Sequence, residues 1–147
     1  MPVIITLIIA IFLILISWTW HNLGNIDKTK KILTIVISLI LIFIVTFIVF
    51  NISKEGVQYE SQQQMGDVQN VLVVLFTFIN GLLIIPAIAK TLNKIFENEI
   101  DKNKAQQKFI IIFVIFIIIM IFECGYMKNI QQDILKIYND ALLIKKG

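Results

Sequence analysis

Glu123 lies within an apolar run, Phe109–Met127, about one turn from its far end. An ionisable side chain inside a membrane is costly and is a candidate functional group by default. Two readings stay open. Near the boundary its carboxylate can reach water, and Lys54, expected at the same membrane face, is a possible ion-pair partner. Deeper in, the same carboxylate could handle ions or protons. Met120, Cys124 and Met127 stand at i, i+4 and i+7 of this run. That spacing puts two thioethers and a thiol on one helix face, a soft ligand set of the kind that suits Cu(I). Met and Cys also fill helix contacts without any metal, and packing is the preferred reading.

Asn80 is the one amide near the centre of an apolar run. Thr77, Asn80, Gly81 and Ile84 share a helical face. A small residue lets a second helix approach, and an amide can hydrogen-bond across the contact. In an earlier run Thr34 and Ser38 share a face, with Thr46 not far from it. Helix–helix packing is the expected role, and a sparse polar path is the alternative.

Enzyme signatures are missing: there is no GxSxG, no glycine-rich phosphate loop and no HExxH. The single His21 sits at a membrane boundary opposite to Glu123, so the two are not expected to form a joint site. One cysteine excludes an intrachain disulfide and any zinc site built from several cysteines. No cofactor is expected.

These residues need helices to hold them, and the composition says of what kind. Of 147 residues, 58% are hydrophobic and 16% charged, with a mean hydropathy of +0.86. A soluble domain is about 45–50% apolar and about 25% charged. A soluble core cannot absorb that excess, so the chain reads as an integral membrane protein. A transmembrane helix takes about 20 apolar residues, and four runs qualify: about 3–20, 32–52, 71–89 and 109–127. Pro86 falls one turn inside the end of the third and predicts a kink. The first run has no positive n-region and no small-x-small cleavage site, so it is expected to be a mature helix rather than a signal peptide. Trp18 and Trp20 fall at one membrane boundary and Tyr126 at the other, as interfacial anchors do.

Basic residues number 13, all lysine, against 10 acidic ones. That excess is too small to imply a nucleic-acid partner. Its placement is more informative. The connections 21–31 and 90–108 hold eight lysines, and the opposite side holds five. The positive-inside rule then puts these two loops in the cytoplasm and both termini outside, with the cell membrane as the site. A chain rich in Ile and Lys and free of Arg is what an AT-rich bacterial genome encodes, and a bacterial source is expected.

The middle connection, Ser53–Asn70, reads as a polar, Gln-rich loop. The next one differs: Leu92, Ile95, Phe96 and Ile100 keep helical spacing, so the third helix should continue past the membrane before the chain turns. In the tail, about 128–145, Met127, Ile130, Ile134, Ile137, Ala141 and Ile144 follow one another at intervals of 3 and 4. This is the seam of an amphipathic helix, with Gln131, Asp133, Lys136 and Asp140 among its polar residues. Such a helix could lie on the membrane, dock on another subunit or pair with its own copy. A bend near Gly125 is expected if span and tail form one helix. Finally, Ile26-Asp27-Lys28-Thr29-Lys30 before the second run resembles Ile100-Asp101-Lys102-Asn103-Lys104 before the fourth. A repeat of two helical hairpins would fit, and so would chance in a Lys- and Ile-rich chain.

The expected fold is all-α: an integral membrane bundle of four transmembrane helices plus an amphipathic C-terminal helix, in a single membrane domain. The expected function is that of a non-catalytic subunit or assembly partner in a larger membrane complex. Its partners would be the lipid bilayer and other membrane subunits or its own copies. The alternative is a small homo-oligomeric channel, transporter or holin-like pore, lined by Asn80 and Thr77 with Glu123 at a mouth. A membrane-embedded enzyme is a third and more distant class.

Overall fold

The computed structural model describes residues 2–146. Four α-helices follow one another: α1 (Pro2–Asn22), α2 (Lys28–Ser53), α3 (Gln62–Phe96) and α4 (Lys102–Lys146). No strand occurs among the described residues. All four helices are long and apolar enough to cross a membrane, which is consistent with a membrane protein. The physical cause is the same in each. Long runs of Ile, Leu, Val and Phe have no water-facing side to offer, and only helices satisfy every backbone group inside their own segment.

Two helices outrun the apolar runs that mark them. α3 is 35 residues long and begins at Gln62, so the second half of the expected middle loop is helical. Ser61 caps it, its hydroxyl accepting the Gln64 amide N–H at 3.1 Å. The Gln64 side-chain oxygen reaches back to accept the Glu60 N–H at 3.0 Å. A Ser followed three residues later by Gln is a helix-start signature, and here it outweighs the polarity of the segment. At the other end α3 runs past the third apolar run to Phe96, with Pro86 inside it.

α4 is the larger departure. It is one unbroken helix of 45 residues, so the amphipathic tail is not an element of its own. Gly125 neither ends nor interrupts it. One glycine in a helix costs only about 1 kcal/mol, and the packing of Glu123, Met127 and Gln131 on the bundle holds both flanking turns in place. The buried seam also differs from the expected one. Met127, Gln131 and Leu135 are buried, at steps of four, with Ile130 and Ile134 half-buried beside them. Ile137 and Ile144, assigned to the seam by spacing, are 69% and 81% exposed.

α3 is the hub and packs against the other three helices. α2, α3 and α4 contact one another pairwise, whereas α1 leans on α3 and, among the described residues, its backbone does not come close to that of α4. Leu15 of α1 closes on α3 at Gly81, where an added Cβ would meet the Leu15 side chain at 3.1 Å. The small residue is what permits that approach. Between α1 and α2 the chain turns at Gly24, whose φ of +60° favours glycine. A Cβ there would meet the Asn93 Oδ1 of α3 at 2.8 Å. Lys31 is buried beside this turn, its ammonium 4.7 Å from the centre of the Trp20 ring, a cation–π distance.

Two apolar clusters fill the bundle. One joins Val49, Phe50, Leu72, Val73, Met120 and Met127. The other joins Leu15, Ile42, Ile84 and Ile85. Along α2 and α3 the positions between them carry polar side chains, Thr46 and Asn80.

Candidate functional site

Asn80 projects from the middle of α3 into the space where α2 and α4 meet it. It is fully buried. Its amide nitrogen donates to Glu123 Oε1 on α4 at 2.8 Å and to Thr46 Oγ1 on α2 at 3.2 Å. Thr46 is fully buried as well, and Glu123 is 7% exposed. Glu123 is therefore buried inside the bundle rather than extended to solvent. One amide ties three helices together at one depth. Buried polar groups without partners are costly, so each member makes the others tolerable. The Asn80 Oδ1 atom has no hydrogen-bond partner, which leaves one acceptor of the clasp open. Thr77, one turn before Asn80, is buried too, but its hydroxyl donates to its own helix at the Val73 carbonyl, 2.6 Å away.

A second polar cluster lies further along the same helices. Gln131 of α4 is fully buried. Its amide nitrogen donates to Ser53 Oγ at the end of α2, 2.9 Å away. Its oxygen accepts from the Tyr59 hydroxyl at 2.6 Å. Ser53 in turn donates to the Phe50 carbonyl at 2.9 Å. Burial pushes the Tyr59 phenol above its usual range, which keeps it protonated and able to donate. This cluster pins the α2–α3 connection to α4. Spacing alone put Gln131 on the polar side of a free tail, and Tyr59 and Ser53 carried no sequence signal beyond their polarity.

The other sequence candidates separate into different roles. Lys54 is the residue that ends α2, its backbone N–H donating to the Phe50 carbonyl. It follows Ser53, which meets α4 at Gln131, eight residues and thus about 12 Å along the helix from Glu123. The partner of Glu123 in the structure is the Asn80 amide and not the Lys54 ammonium. Met120 and Met127 are buried in the apolar cluster with Phe50 and Val73, and Cys124 packs against the same cluster half-buried. Their apolar neighbours account for the spacing. His21 lies in the last turn of α1, exposed. No group of three or more His, Cys, Asp or Glu comes together among the described residues.

The chemistry available at the Thr46–Asn80–Glu123 clasp is therefore hydrogen bonding between helices. Its interacting groups are one carboxylate, one amide and one hydroxyl. Comparison with protein-family models, with curated proteins and with solved structures finds no match to this chain.

Proposed function

We propose that this chain is a small multi-pass protein of a bacterial cell membrane that serves as a non-catalytic subunit or assembly partner of a larger membrane complex. Its basic connections would face the cytoplasm and its termini the outside. The observation that carries the reading is the far half of α4. Beyond Leu135, Ile137, Tyr138, Leu143 and Ile144 are 48–81% exposed, although this stretch lies past the fourth apolar run. Lipid accounts for exposed isoleucines inside a span. On an extension that also carries Lys136 and Asp140 the same residues offer an apolar strip that a partner helix can cover.

A homo-oligomeric pore draws less support. The residues that would line it, Asn80, Thr77 and Glu123, are turned into the protomer and engaged there. The test is the native mass of the protein extracted in a gentle detergent, with co-purifying chains identified. Other polypeptides at fixed stoichiometry are expected. A lone monomer would overturn the reading. A clean homo-oligomer that leaks ions from liposomes would favour the pore.

A further inference from the structure

Lys90 and Lys94 stand one turn apart on α3, and Lys108 faces them from α4. The three line one groove of about 260 Å³, together with Thr91 and the apolar side chains of Ala87, Ile111 and Ile112. Lys94 and Lys108 are half-buried in this groove, and Lys90 is exposed at its rim. Among the described residues no aspartate or glutamate lines the groove. Three cations converging without a carboxylate repel one another, and an anion seated among them would relieve the repulsion.

The depth of the groove narrows the choice of anion. Lys90 follows the third apolar run and Lys108 precedes the fourth, so the ammonium groups sit at headgroup level in a membrane. Ile111 and Ile112 lie one turn deeper, facing the groove at the level of the first acyl carbons. Basic pockets between membrane helices, with an apolar floor on the hydrocarbon side, suit phosphate headgroups. We propose that the α3–α4 groove rimmed by Lys90, Lys94 and Lys108 binds the phosphate of an anionic phospholipid, its acyl chain passing over Ile111 and Ile112. The proposal rests on the chain spanning a membrane and is independent of whether it has a protein partner.

The full chain in gentle detergent is offered phosphatidylglycerol, phosphatidylcholine or inorganic phosphate. Retained adducts are read by native mass spectrometry and the thermal transition is followed in parallel. Phosphatidylglycerol is expected to be retained roughly tenfold better than phosphatidylcholine and to raise the transition. The double variant Lys94→Gln/Lys108→Gln should lose both effects. Without lipid it should be at least as stable as the parent, since two like charges are gone from one groove. Lys128→Gln/Lys136→Gln, at the opposite end of α4, should keep both effects. No preference in the parent chain, or a preference that survives the double variant, would overturn the site. Inorganic phosphate giving the same stabilisation at comparable concentration would overturn the lipid as its ligand.

Discussion

Asn80 and Glu123 form the shortest polar contact between spanning helices, and its worth can be measured. Substituting Asn80 alone leaves the carboxylate of Glu123 buried and without its donor, at a cost of about 1–3 kcal/mol. Polar contacts between membrane helices are worth less than that, about 0.6 kcal/mol on average and about 1.7 at most. The difference is the penalty of an orphaned group. A double-mutant cycle with Asn80→Ala and Glu123→Ala separates the two, because the double variant removes donor and acceptor together. A coupling on the order of 1 kcal/mol is expected from reversible unfolding in detergent. Strict additivity would mean that the contact is idle. Thr46→Val should cost less than Asn80→Ala, because its bond is longer, 3.2 Å against 2.8 Å. The sequence marks Thr46, Asn80 and Glu123 as polar residues in apolar runs, but it cannot show that they meet. Helical period gives the face a residue occupies on its own helix, and not which neighbour covers that face.

At the scale of the helix, the sequence is legible where apolar runs are long and silent where polar residues continue a helix. The four spans follow from hydropathy. The first turns of α3, Gln62–Asn70, do not, and only the Ser61–Gln64 pair betrays them. The small repeat before the second and fourth spans finds a local meaning. Asp27 and Asp101 stand at the starts of α2 and α4, each three residues after a left-handed residue, Gly24 and Asn98. The two starts are not equivalent. Asp101 Oδ1 accepts the Lys104 N–H at 2.8 Å, whereas Asp27 makes no side-chain cap. Asp101→Ala should therefore destabilise by about 1 kcal/mol. Asp27→Ala should stay within about 0.5 kcal/mol of the parent. Paired unfolding curves decide it, and equal losses would show that Asp27 caps α2 in solution after all.

The whole molecule is shaped by the mismatch between α4 and a bilayer. Forty-five residues of helix extend about 68 Å, more than twice the roughly 30 Å hydrocarbon core of a bilayer. The excess beyond Met127 is first fastened to the bundle, through Gln131 and Leu135, and then released from it. α4 has no proline and no interruption past its span. An unbroken helix leaving a membrane carries its next turns away from the surface, and past its span α4 has neither the proline nor the break that commonly turns a helix flat onto lipid. What remains is a helix held out from the bundle with Ile137 and Ile144 uncovered. If those side chains serve assembly, they contribute nothing to the fold of the protomer. Ile137→Gln/Ile144→Gln should then leave the thermal transition within about 0.5 kcal/mol of the parent and remove the co-purifying chains from the native mass. Ser53→Ala and Gln131→Leu should do the reverse first, loosening the α2–α3 connection before assembly suffers. Should the two isoleucine substitutions unfold the bundle instead, the tail would belong to the core, and its exposure would have to be sought elsewhere than in a partner.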